Sequence, residues 1–161
     1  PDEGWVKVNV DGAISKTSEH GGAGVVFRNH EGTLLGSACH FFPTCKDPAT
    51  VELQACKRAV QLAHEFNANS LHIEMDCKEI VSKLHSKEKD LSTLGPIIEE
   101  VKQMLDSRER WKISWLRRTA NSAAHLLAKE SVLSHYCKVW LNEPPDCILQ
   151  VIAAEIPAGF E

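Results

Sequence analysis

The spacing of the hydrophobic residues changes along the chain, and this change limits the folds that the chain can adopt. Residues 5–11 read WVKVNVD, with valines at alternate positions and polar residues between them, which is the period of a β-strand. From about Thr50 to Phe66, small and apolar residues instead recur every three or four positions, which is the period of a helix. Both periods in one chain predict an α/β fold in which helices cover a sheet.

Three predicted strands precede that helix, and two more alternate with helices after it. Asn29 and Gly32 mark a hairpin turn between the second and third strands, so the first three strands are predicted to form an antiparallel meander. The fourth and fifth strands are predicted at 71–76 and 111–116. Further helices are predicted around residues 80–84, from near Pro96, and after the N-cap residue Asn121.

Length and charge set outer bounds on the protein. The 161 residues predict a single domain over 1–161, with a core at about 5–136 and a proline-broken tail at 137–161. Lys and Arg number 18 against 22 Asp and Glu, so the net charge is −4. This balance creates no global positive field, and contacts to a nucleic acid would have to come from a local basic patch or from metal ions.

The six cysteines form no CxxC pair and show no zinc-finger spacing with histidine. We therefore expect reduced thiols and an intracellular protein, in the nucleus or the cytoplasm. No apolar run is long enough to span a bilayer, so we expect no membrane association. Because the chain begins with Pro1 rather than Met, we expect it to be part of a longer chain. We also expect the isolated domain to be monomeric.

Three acidic residues occupy positions that one edge of the sheet would bring together. Asp11 and Asp76 end the first and fourth strands, and the carboxyl ends of neighbouring parallel strands meet at one edge. Glu52 heads a small, apolar helical stripe, where a buried carboxylate needs a partner such as a metal cation. Each residue alone also has an ordinary explanation, since Asp before Gly12 is common in turns and Glu in a first helical turn complements the helix dipole. Together, the three carboxylates suit Mg²⁺ or Mn²⁺.

Four segments of the chain resemble the type 1 ribonuclease H family in their order and separation. The segments are KVNVDGA at 7–13, VELQACKRAVQLA at 51–63, IEMDCKEIV at 73–81 and RRTANSAAHLLAKES at 117–131. The likeness extends to the plant, retrotransposon-derived branch of this family, which is also similar in the tail segment WLNEPPDCI. The resemblance implies a five-stranded mixed sheet with strand order 3-2-1-4-5 and helices on both faces.

The resemblance also implies an activity and a ligand set. It implies a metal-dependent endonuclease that hydrolyses the RNA strand of RNA/DNA hybrids with two Mg²⁺ or Mn²⁺ ions. On this resemblance, Asp11 is the bridging carboxylate, and Glu52 and Asp76 are the flanking ligands. His125 stands at the position of the family's fourth acid, so we include it among the catalytic and metal-ligating candidates. The expected partner is an RNA/DNA hybrid.

Four further residues are predicted to contact the substrate. Gly12 would allow close approach of a phosphate backbone, and a plain turn glycine is the alternative. Lys78 follows Asp76 by two residues and would point toward the substrate, or it is a solvated surface lysine. Arg117 and Arg118 can contact phosphates. The four tryptophans could serve as base-stacking platforms, but three of them lie on or next to strand or helix patterns, which favours packing in the core or at element edges.

The chain departs from the family pattern at several places. His125 replaces an Asp, and its imidazole is a softer ligand without negative charge, which predicts a weaker second metal site. Near the positive end of a helix, a neutral imidazole could still coordinate, and the alternative is a polar residue at the edge of the site. Residues 48–51 replace polar residues that read ribose hydroxyls, the loop before the last helix has no histidine, and no basic helix is present.

Two other classes of protein therefore stand beside an active nuclease. One is a catalytically weak or inactive nucleic-acid-binding or interaction module of the same fold. The other is a metal-free structural adaptor, which would require Asp11, Glu52 and Asp76 to lie apart in the folded chain.

Overall fold

A mixed sheet forms the centre of the molecule. The computed structural model describes residues 3–45 and 47–155, and within them the sheet has six strands. The strands are β1 Trp5–Ile14, β2 Gly21–Arg28, β3 Leu34–Phe42, β4 Ser70–Met75, β5 Arg110–Trp115 and β6 Lys138–Leu141. Their spatial order is β5-β4-β1-β2-β3-β6. The β1–β4 and β4–β5 pairs are parallel and the other pairs are antiparallel, which confirms the predicted order 3-2-1-4-5 for the first five strands.

Helices cover both faces of this sheet, as predicted. They are α1 Pro48–Leu62, α2 Lys78–His85, α3 Gly95–Asp106, α4 Ser122–Ser134 and α5 Leu149–Ala154. The first three helices share one hydrophobic core with Val8 and Val10 of β1. On the other face, α4 packs against Val26 of β2, and the C-terminal segment packs against α4. The long predicted helix from Thr50 to Phe66 is divided, because α1 is followed by a short 3₁₀ turn at Ala63–Phe66.

The expectation of five strands is wrong, because part of the predicted tail pairs with β3. Residues 138–141 form β6 antiparallel to β3, with Lys138 opposite Cys39 and Leu141 opposite Gly36. Four residues are too few for an alternating pattern to be recognised, and the prolines at 144 and 145 follow the strand instead of interrupting it. Pairing with β6 satisfies backbone groups that an edge strand would otherwise expose. The last residues of the predicted tail, 156–161, lie outside the described residues.

The polar residues of β1 face a helix rather than solvent. Asn9 and Asp11 are both buried, because α4 covers the face toward which they point. The amide oxygen of Asn9 accepts a hydrogen bond from Arg28 Nη1 at 3.1 Å, so it has a donor although it is buried. Gly24 of β2 permits this packing, since a Cβ there would lie 2.0 Å from the carbonyl oxygen of Ala124. The strand is therefore buried on both faces where the acidic residue stands.

Two further features of the described chain bear on the sequence predictions. All six cysteines are free thiols. Among the described helices, none combines the length and apolar character needed to cross a bilayer.

The C-terminal segment contributes to stability through Ile148, which is fully buried with Val26, Ala123 and Leu127. We expect Ile148→Ala to lower the free energy of unfolding by about 2 to 5 kcal/mol, the range for a fully buried aliphatic side chain. The neighbouring Leu149 is 46% exposed, so Leu149→Ala is the matched control and should change the stability little. Urea unfolding followed by circular dichroism measures both. Equal effects of the two substitutions would show that the segment does not pack on α4 in solution.

Candidate active site

Three carboxylates converge where the pairing of β1 with β4 ends. The prediction that Asp11 ends the first strand is wrong, because β1 continues to Ile14 by pairing with β2. Asp11 lies near the end of β1, Asp76 directly follows β4, and Glu52 lies in the first turns of α1. One oxygen atom from each residue lies within 4.8 Å of the corresponding atoms of the other two. The structure therefore brings these three predicted site residues together, and it removes the adaptor alternative, which required them to lie apart. We call this group the carboxylate cluster.

Gly12 explains how Glu52 reaches the cluster. A Cβ at Gly12 would lie 2.8 Å from Val51 Cγ1 and 2.9 Å from the carbonyl carbon of Val51. Only glycine lets the start of α1 approach β1 this closely. The backbone N–H of Gly12 also donates to Asp11 Oδ1 at 2.9 Å. Gly12 thus has a packing role in the described structure, and its contact with a substrate stays a prediction.

Burial and mutual repulsion dominate the electrostatics of the cluster. Burial, followed by the negative charge of Asp11, raises the pKa of Glu52 to about 10. The same two causes raise the pKa of Asp76, while the positive charge of Arg118 acts in the opposite direction. Among the described residues, Glu52 Oε2 and Asp76 Oδ2 are buried without a hydrogen-bond partner. Buried carboxylate oxygens without donors are costly, and a divalent cation is the partner that would compensate them.

His125 contacts the cluster through Asp11. Its Nδ1 lies 2.8 Å from Asp11 Oδ2, and because a carboxylate only accepts, Nδ1 carries the hydrogen. This tautomer leaves the lone pair on Nε2. His125 therefore lies at the rim of the cluster, at the position that the resemblance implies. In the structure it is a hydrogen-bond donor to one of the three carboxylates.

Asn121 fixes the helix that carries His125. As the sequence predicts, it occupies the N-cap position of α4, but its side chain makes no capping hydrogen bond. Its Nδ2 instead donates to the carbonyl oxygen of Val10 at 2.8 Å, and this bond ties the start of α4 to β1 beside Asp11. The preference of Asn for N-caps hides this role in the sequence, since the β1 carbonyl is 111 residues away.

The predicted basic contacts lie around the cluster and are exposed. Arg118 is 69% exposed, and its Nε lies 3.9 Å from Asp76 Oδ2, so the pair is too solvated to add much stability. Arg117 and Lys78 are also exposed. Lys78 Nζ lies 4.3 Å from the ring centroid of Trp115, which is itself 42% exposed. Trp115 therefore differs from the prediction of packed tryptophans, because much of its ring is exposed beside the site.

The sheet order, the helices on both faces and the position of the carboxylate cluster together define a ribonuclease H-like domain. A family model described as "Reverse transcriptase-like" matches residues 9–131, well over half of the chain. The chain belongs to this family. None of the curated proteins matches it.

Solved structures of ribonucleases H have the same fold. The N-terminal RNase H domain of a Mycobacterium tuberculosis protein, solved as a fusion with maltose-binding protein, is 18% identical with a TM-score of 0.73 over 80% of this chain and 94% of that one. RNase H1 of the halophilic archaeon Halobacterium salinarum is 19% identical with a TM-score of 0.70 over 81% and 98%. LC11-RNase H1, isolated from compost, was solved in complex with an RNA/DNA hybrid, with 19% identity and a TM-score of 0.72 over 81% and 98%. The predicted ribonuclease H-like fold is confirmed.

The raised pKa of Glu52 predicts how the metal-free protein responds to pH. Its folded pKa of about 10 lies above the ordinary value of 4.5, so the folded state binds more protons than the unfolded state between these values. Stability should therefore fall as the pH rises through this window. Glu52→Gln removes the titrating carboxyl group, so folding no longer requires the uptake of a proton, and at pH 8 we expect a Tm higher by at least about 2 to 4 °C and a weaker decline with pH.

Thermal unfolding in EDTA between pH 6 and 9 measures this effect. The exposed Glu65 lies just beyond α1, so Glu65→Gln is the matched control and should leave the Tm and its pH dependence unchanged. A lower Tm for Glu52→Gln than for the parent at pH 8 would contradict the electrostatic account.

Proposed function

We propose that the protein is a metal-dependent endonuclease that hydrolyses the RNA strand of RNA/DNA hybrids. The observation that carries the proposal is the carboxylate cluster, in which one oxygen of each residue lies within 4.8 Å of those of the other two, where the parallel pairing of β1 and β4 ends. LC11-RNase H1, which has the same fold, was crystallised with an RNA/DNA hybrid, and this supports the choice of substrate.

The residues present fit divalent cations. Asp11, Glu52 and Asp76 would hold two Mg²⁺ or Mn²⁺ ions, because carboxylate oxygens are the ligands these hard cations prefer. The buried, unpartnered oxygens of Glu52 and Asp76 would then have positive partners. When bound, such ions lower the pKa of water and stabilise negative charge on the attacking and leaving oxygens. His125 would complete the set through Nε2.

The protein's own residues orient Asp11. Gly12 N–H donates to Oδ1 and His125 Nδ1–H donates to Oδ2, so both carboxylate oxygens have fixed directions. The side chain is fully buried between two layers of helices and cannot turn away. A carboxylate held in this way is pre-organised for a cation, because its side chain loses little conformational entropy when the cation binds.

Substrate binding would rely on few cations. Lys78, Arg117 and Arg118 lie around the cluster and are exposed, so they can contact phosphates of the hybrid. With a net charge of −4, attraction to a polyanion has to come from local side chains such as these.

We also propose that the domain is monomeric in isolation, that the protein is intracellular, and that it comes from the plant, retrotransposon-derived branch of the family.

A second candidate function is a nucleic-acid-binding or interaction module with weak or no catalysis. The hydrogen bond between His125 and Asp11 favours it, because it engages an oxygen of the central carboxylate. The two candidates differ in whether the carboxylates are needed for cleavage of a hybrid, and this difference can be measured directly.

Asp76→Asn keeps the shape of the side chain and removes its charge. We expect it to reduce hybrid cleavage by more than about 100-fold, since it removes a ligand that supplies several kcal/mol of charge stabilisation. A fluorescently labelled RNA/DNA hybrid measures cleavage, with single-stranded RNA and duplex DNA as comparison substrates. Glu65→Gln, on the exposed 3₁₀ turn, is the charge-matched control and should cleave like the parent. Undiminished cleavage by purified Asp76→Asn would assign the activity to another site or a contaminant.

His125 should determine the metal preference. Mn²⁺ accepts nitrogen ligands better than Mg²⁺, so we expect the parent to cleave the hybrid faster with Mn²⁺. His125→Asp introduces the family's acid and should increase Mg²⁺-supported cleavage by about tenfold or more. His125→Ala should lose Mn²⁺-supported cleavage by a similar factor, and because it leaves the buried Asp11 Oδ2 without its donor, it should also lower the Tm by a few degrees. If His125→Ala cleaves as well as the parent with both ions, the three carboxylates suffice and the histidine is a spectator.

A further inference from the structure

Trp115 is an exposed aromatic residue fixed beside the carboxylate cluster. It is the last residue of β5 and lies opposite Met75, which immediately precedes Asp76. Its indole Nε1–H donates to the backbone carbonyl of Asp76 at 3.1 Å, although 42% of the residue is exposed. The hydrogen bond holds the ring at a defined place relative to the Asp76 carboxylate.

Lys78 lies on this ring. Its Nζ is 4.3 Å from the ring centroid, which is within the range of a cation–π interaction. Lys78 is the first residue of α2 and is exposed. A solvated lysine usually samples many rotamers, and ordering it on a phosphate costs side-chain entropy. Contact with a fixed ring limits these rotamers before any ligand binds.

We propose that Trp115 is a substrate-positioning residue that orients Lys78 toward a backbone phosphate of the nucleic acid bound at the carboxylate cluster. The proposal rests on the proposed function and deepens it, because it assigns the group that aligns the substrate backbone with Asp76. The connection runs from the Asp76 carbonyl to the indole N–H and from the indole face to the Lys78 ammonium. A phosphate bound by Lys78 would therefore lie at a set distance from the cluster.

The chain contains a second, similar arrangement that serves as a control. Lys112 Nζ lies 4.7 Å from the ring centroid of Trp5, and Arg110 Cζ lies 5.1 Å from it. Trp5 begins β1, six residues before Asp11, which corresponds to roughly 20 Å along the strand. Both arrangements place a lysine ammonium on an indole face; the one at Trp5 also includes Arg110, and it lies farther from the cluster.

The test measures binding of a fluorescently labelled RNA/DNA hybrid by anisotropy over a series of KCl concentrations. All variants carry Asp11→Asn so that cleavage does not disturb the measurement. Lys78→Met keeps the aliphatic stem and removes the charge. We expect the negative slope of log K against log salt to become shallower by about 0.9, the value for one phosphate contact. Trp115→Leu should weaken binding by about two- to fivefold, the effect of losing an exposed cation–π contact.

The double variant of Trp115 and Lys78 distinguishes positioning from a general structural role. If Trp115 acts through Lys78, Trp115→Leu should add almost nothing to the loss already caused by Lys78→Met. Trp115→Phe keeps a ring and removes the N–H donor, so it should bind the hybrid more weakly than the parent and more tightly than Trp115→Leu. Trp5→Leu and Lys112→Met should leave both the affinity and the salt slope unchanged.

Two outcomes would overturn this inference and leave the proposed function standing. One is additive losses for Trp115→Leu and Lys78→Met, and the other is equal effects of Trp115→Leu and Trp5→Leu on a hybrid that the parent binds. If Trp115→Leu fails to fold, as judged by circular dichroism, the comparison of Trp115→Phe with and without Lys78→Met decides the question in the same way. A parent that neither binds nor cleaves the hybrid would instead overturn the proposed function, and this inference with it.

Discussion

Asp11 is a carboxylate on a strand that is buried on both faces, and the rest of the site depends on this placement. Helices cover the sheet on each side of β1, so the side chain has no access to bulk water. Its two oxygens accept hydrogen bonds from Gly12 and His125, which offset part of the cost of burial. Burial and the negative charge of Asp11 raise the pKa values of the neighbouring Glu52 and Asp76, so ionising all three carboxyl groups together is unfavourable. A divalent cation would relieve this repulsion, and the repulsion therefore links stability to function.

Close backbone approach builds the cluster from both sides. Gly12 lets α1 reach β1 and bring Glu52 beside Asp11, and Gly24 lets α4 reach β2 and bring His125 to the same carboxylate. A side chain at either glycine would push a helix outward, since its Cβ would lie 2.9 Å or less from a backbone atom of that helix, well inside ordinary packing distance. The two glycines act through packing, and their effect on the site is to set the distances between charged groups.

The surroundings of the cluster combine acidic residues in the centre with exposed cations at the rim. Lys78, Arg117 and Arg118 can approach a phosphate backbone without being buried, so they lose little hydration in the free protein. Trp115 adds a fixed surface to this rim of long flexible side chains. At one lateral edge of the sheet, β6 pairs with β3, and the segment around Ile148 packs on β2 and α4 and completes the packing of the second face. The cluster lies instead where the pairing of the inner strands β1 and β4 ends.

The sequence by itself determined the succession of five strands and the covering helices along the chain, because hydrophobic period is a local property, and the spatial strand order came from the family resemblance. The sequence also indicated that Asp11, Glu52 and Asp76 lie together, since the ends of neighbouring parallel strands meet, although β1 continues beyond Asp11 to Ile14. Tertiary structure decided what local pattern does not encode. Residues 138–141 form a strand because β3 has a free edge with which they pair. The Asn121 side chain donates to the Val10 carbonyl instead of capping α4, because β1 lies next to that helix. Trp115 is exposed because its indole N–H bonds to the carbonyl of Asp76. Each of these outcomes depends on a partner distant in sequence, whose position exists only after the sheet has formed.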